Sequence, residues 1–490
     1  MDIEQFPAYQ AIDHICDYYY SLEKQSVVSQ VEPGYLSKLL PDHPPAQGES
    51  MEAISADFHN HILPGITHWQ HPSFFAYYPS IASFESILGD LYAGSISNPG
   101  FNWACSPAST ELEAIVMDWS ARLLGLDEKF LTASGKGGGV LQTTASDAAL
   151  LATVVARTNY TKLHPGVAME KLVIYGTTQT HSLGAKAALI LGVHFRALEV
   201  KAEDNFSLRG STLQAALDED REKGLHPYIL IATVGTTSSG AVDNIDEIGG
   251  VLTAEPSIWL HVDAAWAGVA FALPEYRQTG RLDAINKYAH SFCTNFHKWG
   301  LVAFDCSTFW VKDRVLLTDS LDVTPEFLRT HHGDSGMVID YRNWHLSLGR
   351  KFRSLKLWFV LRAFGVEGFR KHLRNGIDNA NALAERVKQS DVFELATPPT
   401  LSLVVFRIAP QALVGKKTPS DTSIGAELNT LNLKLHEKTT SDLFLTRTDL
   451  GGDICLRMSV GGLRTEKRHV LHAFDVLEKA AKDILKDSST

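Results

Sequence analysis

Residues 171–176 read KLVIYG and residues 227–235 read PYILIATVG, and these two runs decide the predicted fold. Both are short and almost wholly apolar or β-branched, as strands covered on both faces are. Similar runs, SIWLHVDAA (257–265), SFCTNF (291–296) and DCSTFWV (305–311), alternate with helical segments. This alternation predicts an α/β region with a mostly parallel sheet between about residues 130 and 310.

The pattern differs on either side of this region. Phe6, Tyr9, Ile12, Cys16 and Tyr19 recur at helical spacing before a Pro-rich stretch at 40–46, which predicts one amphipathic helix that needs a partner surface. Beyond about residue 365, a charged helix, strands at 401–408 and 454–460, and a final helix predict a small α+β unit. We therefore predict a helical dimerisation arm (1–85), a large cofactor domain (86–365) and a small C-terminal domain (366–490).

A helix is also predicted to begin near residue 110. Thr110 and Glu113 match the T-x-x-E capping box, and Leu112, Ile115 and Trp119 follow on one face.

Composition excludes several classes of protein. The 490 residues are 44% hydrophobic with a net charge of −11, and no apolar run approaches the roughly 18 residues that span a bilayer. The start, MDIEQFPAYQ, lacks the pattern of a secretion signal, and five scattered cysteines are typical of reduced thiols in the cytosol. The acidic balance argues against nucleic acid as a partner. We expect a cytoplasmic enzyme.

A glycine cluster leads into a predicted helix at SGKGGGVLQTTAS (134–146). Free N–H groups and hydroxyls at a helix start bind anions, which favours a phosphate site here. The stretch matches neither a Walker A loop nor G-x-G-x-x-G, and an ordinary N-cap explains it equally well.

Three further polar residues follow predicted strands, where ligands of open α/β sheets collect. Asp263 ends an apolar strand, Lys298 lies between His297 and Trp299, and His181 follows the strand 171–176. A buried carboxylate needs a cation, and a desolvated lysine is suited to form a Schiff base. Considered separately, each residue has a simpler explanation. Asp263 could cap a helix, Lys298 could be a surface lysine, and His181 could be a histidine whose hydrogen bonds are made within the fold. Together with a phosphate site, the set predicts pyridoxal phosphate as cofactor and no metal.

Six segments, in this order, resemble the pyridoxal-phosphate group II decarboxylases, and within them the aromatic L-amino acid decarboxylases. They are HWQHPSFFAYYPS (68–80), FNWACSPASTELE (101–113), GVLQTTASDAALLA (139–152), HVDAAWAG (261–268), NFHKWGLVAFDCS (295–307) and DYRNWHLSLGRKFRSLKLWFVLRAFG (340–365). The resemblance implies the aspartate-aminotransferase-like fold (fold type I), a homodimer, and conversion of an aromatic L-amino acid to its arylalkylamine and carbon dioxide.

The resemblance also implies site residues. Lys298 would bind the cofactor covalently, Asp263 its ring nitrogen, and His181 would stack over the ring, with Ala265 beside it and Thr236 nearby. The implied phosphate ligands are Thr144, Ala145, Ser146, Asn295 and His297. The implied substrate pocket consists of Trp69, Tyr77, Tyr78, Pro79, Phe101, His181 and Gly349. Core packing is an alternative for the aromatic residues, and glycine at 349 favours an indole over a phenol.

Two positions depart from the family pattern. Phe296 replaces the usual proline before His297 and Lys298. In the catalytic loop, the family has tyrosine in a Pro-x-Tyr-Leu context, whereas this chain has Phe327. That tyrosine protonates Cα after decarboxylation, so its loss favours an aromatic acetaldehyde synthase as the alternative function. His332, which matches a loop histidine, its neighbour His331, and His181 are alternative proton donors.

Overall fold

The computed structural model describes residues 8–413, 421–440 and 442–487. Phe6 of the predicted N-terminal helix lies outside them. The strands are β1 (Gly138–Gln142), β2 (Leu172–Thr177), β3 (His194–Leu198), β4 (His226–Thr233), β5 (Trp259–Asp263), β6 (Ser291–Asn295), β7 (Ser307–Val311), β8 (Phe393–Leu395), β9 (Leu403–Ile408), β10 (Thr446–Leu450) and β11 (Asp453–Ser459).

The helices occupy most of the remaining chain. They are α1 (Ala8–Ser21), α2 (Tyr35–Leu39), α3 (Met51–Asp57), α4 (Phe84–Ile96), α5 (Pro107–Leu124), α6 (Ala145–Leu163), α7 (Leu183–Leu191), α8 (Gly210–Glu222), α9 (Ile245–Thr253), α10 (Leu282–Tyr288), α11 (Phe296–Trp299), α12 (Arg314–Leu321), α13 (His331–Asp334), α14 (Arg353–Lys388), α15 (Asp421–Thr439) and α16 (Lys467–Asp487). In the part of the chain that the structure describes, no helix is long and apolar enough to cross a membrane.

The large sheet has seven strands in the order β1-β7-β6-β5-β4-β2-β3. The five strands from β2 to β6 are parallel, and β7 runs antiparallel to both β6 and β1. Alternate residues of β2 enter different cores: Leu172 and Ile174 pack with α6 and α7, whereas Val173 and Tyr175 pack with α8 and α9. Burial on both faces explains the continuous apolar runs and confirms the predicted α/β class.

A second sheet lies in the C-terminal part of the chain. Its four antiparallel strands have the order β10-β11-β9-β8, and α15, α16 and the second half of α14 cover them. Helix α14 is broken at Gly365, where φ is +60°, a value that favours glycine. This break coincides with the predicted boundary between the large and small domains, and the three-part division stays a prediction.

One segment of the predicted N-terminal arm belongs to the core of this small sheet. The N–H of Phe75 donates to the carbonyl of Phe444 at 2.7 Å, and its carbonyl accepts from the N–H of Ser459 at 3.0 Å. The Phe75 side chain is fully buried among the small-sheet residues. By contrast, Tyr9 and Tyr20 of the N-terminal helix region are 89% and 85% exposed. Residues 8–85 therefore contain two different parts. The segment around Phe75, which we call the strap, packs into the small sheet, and the N-terminal helix has an apolar surface with no partner within the described chain.

The capping box predicted at Thr110 and Glu113 is wrong. Helix α5 begins at Pro107, and the Thr110 hydroxyl donates to the Ser106 carbonyl at 3.0 Å inside the first turn. Glu113 is buried and accepts two bonds from the Arg350 guanidinium, at 2.6 and 2.9 Å, and one from the Leu141 N–H at 2.8 Å. The local motif was misleading because its glutamate pairs with an arginine more than 200 residues away.

Glu113→Gln is expected to destabilise the fold strongly, because it leaves the buried guanidinium of Arg350 without a counter-charge. Removing one partner of a buried ion pair costs about 3–5 kcal/mol. Urea denaturation followed by circular dichroism measures the loss. Glu367→Gln is the matched control, because its ion pair with Arg370 is largely exposed and should contribute at most about 1 kcal/mol. Equal losses in the two variants would contradict a structural role for the Glu113–Arg350 pair.

Candidate active site

The predicted cofactor residues gather at one edge of the large sheet. Asp263 and Asn295 are the last residues of the adjacent parallel strands β5 and β6, and His181 follows β2. Helix α6 begins at Ala145 just after β1, and Lys298 lies in the short helix α11 just after β6. This edge is where crossovers of an open α/β sheet leave a crevice.

A cavity of about 570 Å³ opens at this edge, a volume typical of small-molecule sites. It brings together seven residues predicted from the sequence, namely Trp69, Tyr77, Tyr78, Pro79, His181, His297 and Lys298. The other lining residues are Ser80, Thr237, Phe304 and Arg457. The segment around Pro79 crosses directly over the lysine, since the Ile81 N–H donates to the Lys298 carbonyl at 3.4 Å.

Lys298 is partly buried and lies among apolar and cationic groups. Burial lowers the pKa of Lys298; the Asp263 carboxylate opposes this shift, and the Arg457 guanidinium adds to it. The ammonium nitrogen is 5.3 Å from the centre of the Tyr78 ring. A lysine whose pKa is lowered in this way has more of the neutral amine that attacks a carbonyl.

Asp263 is 2% exposed and has no ion pair within the described residues. Its Oδ1 accepts a hydrogen bond from the Ala265 N–H at 2.9 Å. Burial raises the pKa of Asp263, whereas the nearby Lys298 and His181 lower it. A carboxylate in this position is stabilised by a protonated ring nitrogen placed beside it, which fits the predicted cofactor.

The start of helix α6 and the turn after β6 offer groups for a phosphate. The Thr144 hydroxyl and N–H are engaged with Asp147 in a capping box, at 3.0 and 3.1 Å. The N–H groups of Ala145 and Ser146 in the first turn have no acceptor among the described residues. The free N–H donors at this helix N-terminus fit a phosphate. The Oδ1 atom of Asn295 is buried without a partner, but it is an acceptor, so only the amide N–H groups of Asn295 are suited to a phosphate.

Two histidines of the site have defined tautomers. Nδ1 of His297 accepts from the Cys306 N–H at 2.9 Å, so in the neutral ring Nε2 carries the proton. Burial lowers the pKa of His297 to about 3, which keeps this ring neutral. Nδ1 of His181 likewise accepts from the Leu183 N–H at 3.3 Å, and burial lowers its pKa. Each ring therefore presents an N–H donor opposite its backbone contact.

Thr236 lies in the turn that supports the cavity and does not line it. Its hydroxyl contacts the Ser239 hydroxyl at 2.8 Å and accepts from the Ala241 N–H at 3.0 Å. The Tyr78 hydroxyl donates to the Thr237 carbonyl at 3.3 Å, and the Tyr78 ring stacks on Trp266 at 4.7 Å. The predicted cofactor contact of Thr236 stays a prediction.

Arg457 is the main cavity residue that the sequence analysis missed. It lies on β11 of the small sheet, is 3% exposed and has no carboxylate partner among the described residues. Its guanidinium donates to the Thr446 hydroxyl at 2.8 Å and to the Tyr77 carbonyl at 3.3 Å, and lies 5.0 Å from the Tyr78 ring centre. The signal in the sequence is a single arginine within the apolar strand CLRMSV (455–460). Phe304, Ser80 and Thr237 were missed as well.

Besides the cofactor residues described above that lie outside the lining, four residues predicted for the substrate pocket and the catalytic loop do not line this cavity within the described chain: Phe101, Phe327, His332 and Gly349. The Arg342 N–H donates to the Phe101 carbonyl at 3.0 Å, its guanidinium donates to the carbonyl of Leu328, next to Phe327, at 2.6 Å, and the Arg350 N–H, next to Gly349, donates to the Pro99 carbonyl at 2.7 Å. The side chain of Phe327 is 81% exposed, and the His332 ring lies 4.9 Å from that of Trp103. We name these four residues the loop group.

The comparison with known families agrees with this geometry. Residues 33–409 match the model of the pyridoxal-dependent decarboxylase conserved domain. The chain is 44% identical to phenylacetaldehyde synthase of Arabidopsis thaliana, covering 99% of this chain and 97% of that protein. It is 40% identical to the aromatic-L-amino-acid decarboxylase of Bos taurus, covering 97% of this chain and 96% of the relative.

Solved structures agree in fold over nearly the whole chain. Oryza sativa TDC, crystallised with PLP and tryptamine, superposes with a TM-score of 0.93 at 36% identity, covering 98% of this chain and 97% of that one. Catharanthus roseus tryptophan decarboxylase in complex with L-tryptophan superposes with a TM-score of 0.90 at 36% identity, covering 99% of both chains. With the matched domain and the fitting cofactor groups, these findings show that the chain belongs to the pyridoxal-dependent decarboxylase family, and that its cofactor is pyridoxal phosphate.

Proposed function

We propose that this protein removes the carboxyl group of an aromatic L-amino acid and releases the arylalkylamine and carbon dioxide. The observation that carries the proposal is one cavity that combines Lys298, an unpaired cation at Arg457 and an aromatic wall. An aromatic amino acid substrate needs three things from its site: a group that its amine displaces, a cation that binds its carboxylate, and a surface that binds its ring.

The chain's own residues would hold the cofactor in a defined orientation. Lys298 would bind it covalently, Asp263 would pair with its ring nitrogen, and His181 and Ala265 would lie beside the ring. The proposed phosphate ligands are Thr144, Ala145, Ser146, Asn295 and His297. When bound, pyridoxal phosphate withdraws electrons from the bond that breaks at Cα.

Arg457 is proposed to orient the substrate carboxylate. Its guanidinium is fixed by Thr446 and Tyr77, and a planar, permanently charged fork is suited to a carboxylate. Because Arg457 is a permanently cationic group in the cavity, it attracts the anionic end of an amino acid.

The aromatic wall is proposed to bind the substrate ring. Trp69 and Tyr77 stack with their ring planes 13° apart and centroids 5.6 Å apart, and they are 41% and 52% exposed. Because these rings are only half-buried, they offer free faces to a ligand, unlike core residues. The buried Tyr78 ring lies next to Lys298, with its centre 5.3 Å from the lysine nitrogen.

We further propose a homodimer in which the loop group completes the partner's cavity. Phe327, His332 and Gly349 are exposed and do not line the cavity of their own chain. The unpartnered apolar surface near Tyr9 and Tyr20 supplies a second contact between subunits. The proposed location is the cytosol, on the basis of the scattered cysteines.

A second function, an aromatic acetaldehyde synthase, is favoured by Phe327. Its side chain cannot donate a proton, so the electron-rich Cα that remains after decarboxylation persists longer. Molecular oxygen and water then convert the substrate to an aldehyde, carbon dioxide, ammonia and hydrogen peroxide. His181, His331 and His332 are the alternative proton donors that would keep the amine as product.

Phe327→Tyr tests the choice between the two products. The added hydroxyl supplies an acid at the loop, so the ratio of amine to hydrogen peroxide is expected to rise by about 100-fold, the low end of what a positioned acid contributes. Both products are measured with tryptophan, tyrosine and DOPA as substrates. Wild-type enzyme that forms stoichiometric amine without peroxide would rule out the aldehyde synthase. Val323→Thr, which adds a hydroxyl at another exposed loop position, is the control.

Gly349→Ser is expected to move substrate preference from tryptophan toward tyrosine. A Cβ at this position meets only the Pro99 Cβ, at 3.9 Å, so the fold tolerates the change while space for an indole is lost. A small change in pocket volume is worth about 10-fold or more in kcat/KM ratio. The ratio for the two substrates measures the effect, with Gly250→Ser as a control outside the pocket, because an added side chain there meets nothing within 4 Å. An unchanged ratio would contradict a place for Gly349 in the substrate pocket.

Two inactive variants should complement each other if the sites are shared between subunits. Lys298→Ala removes the lysine, and Gly349→Phe fills the proposed pocket from the other subunit. A heterodimer purified by two different tags has one intact site, so we expect about half of the wild-type activity. An inactive heterodimer would contradict shared sites, and a failure to isolate any two-tag complex would contradict the dimer itself.

A further inference from the structure

A row of buried polar side chains lies behind Asp263, on the side away from the cavity. In the paired strands β5 and β6, His261 is opposite Ser291, and Asp263 is opposite Cys293. Because side chains alternate along a strand, these four share one face of the sheet with Trp259. All five residues are at most 3% exposed.

The contacts form one continuous path from Trp259 to Asp263. Nε1 of Trp259 donates to Oγ of Ser291 at 2.8 Å, and this Oγ lies 2.8 Å from Nδ1 of His261. The path then continues from Nε2 of His261 to Sγ of Cys293 at 3.6 Å, and from this Sγ to Oδ1 of Asp263 at 3.8 Å.

The chemistry of the two ends is consistent with one direction of donation along the path. An indole N–H can only donate, and an ionised carboxylate can only accept. In this direction, Ser291 accepts from Trp259 and gives its own proton to Nδ1 of His261. Burial lowers the pKa of His261 to about 3, so the ring is neutral and its one proton lies on Nε2, facing Cys293. The Cys293 thiol is then left to donate to Asp263.

We propose that Trp259, Ser291, His261 and Cys293 are positioning residues that orient Asp263 and stabilise its negative charge. The inference rests on the proposed role of Asp263 as partner of the cofactor's ring nitrogen. The Cys293 thiol and the Ala265 N–H both occupy Oδ1, which leaves Oδ2 for the cofactor. On its cavity side, Asp263 faces Lys298 and the ring of His181, while the donors behind it are neutral. The hydrogen bonds of the row direct partial positive charge toward the Asp263 carboxylate, and none of them cancels its negative charge.

Cys293→Ala tests the proposal, because it removes the last donor while changing little else in the strand. Without the thiol, the carboxylate is less firmly oriented and binds a proton more tightly, so it withdraws the proton from the ring nitrogen. We expect the dissociation constant of pyridoxal phosphate, measured by equilibrium dialysis, to rise about three- to tenfold, the worth of one hydrogen bond. The absorbance of the bound cofactor should titrate at higher pH, because a ring that has lost positive charge raises the pKa of the nitrogen linked to Lys298.

A second variant tests the row beyond the cysteine. His261→Phe should weaken cofactor binding, and His261→Gln, which retains an N–H donor, should restore part of it. Since the histidine acts through the thiol, combining Cys293→Ala with His261→Phe should add little to Cys293→Ala alone. Fully additive losses would contradict a connected row.

Cys455→Ala is the matched control, because this cysteine is equally buried in a strand of the small sheet and donates to the Asp453 carbonyl. It should leave both cofactor measurements unchanged. An unchanged dissociation constant and titration in Cys293→Ala, or equal shifts in Cys455→Ala, would overturn the proposal. Neither measurement needs a substrate, so the outcome is independent of whether the enzyme forms an amine or an aldehyde.

Discussion

The burial of one carboxylate, that of Asp263, is the constraint on which the active site depends. The strands that flank it are buried on both faces, so water cannot compensate its charge. The chain places Lys298 after the neighbouring strand, and the bound cofactor adds a further positive group. Because opposite charges in a poorly solvated site interact strongly, the carboxylate moderates the fall in the pKa of Lys298, and in its proposed role it also orients the cofactor. The buried apolar residues of the strands stabilise the fold, and the charged residues Asp263 and Lys298 lie at or just after the ends of these strands.

The small sheet is part of the same electrostatic arrangement. Arg457 reaches the cavity from β11, and the strap around Phe75 joins this sheet to the segment that crosses Lys298. A cation near Lys298 lowers the pKa of the lysine further and attracts a carboxylate ligand. The contact between the small sheet and the Lys298 segment therefore influences the pKa of the lysine, and in our proposal it also positions the substrate.

Local patterns of the sequence predicted the residues at the strand ends, because short connections keep Asp263, Asn295 and Lys298 close to buried strands whatever the rest of the chain does. The same approach failed where a partner lies far away in sequence. The local sequence predicted a capping role for Glu113, whereas in the structure it pairs with Arg350. Nothing in the sequence around Arg457 indicates that this residue lines the cavity. Burial and long-range pairing, which no short window contains, decide such residues.

We propose that the product depends on a residue that the fold does not need. Phe327 is 81% exposed and lies in a three-residue helical turn. Adding a hydroxyl to its ring therefore changes neither the core nor the cavity of its own chain. Orientation of the substrate and loss of carbon dioxide use buried groups that both candidate reactions share. Only the next step, in which either a proton or oxygen reaches Cα, depends on the exposed loop. Relatives over nearly the whole chain accordingly include both decarboxylases and a phenylacetaldehyde synthase. In this proposal, the buried framework specifies which bond breaks, and the surface loop specifies which product is released.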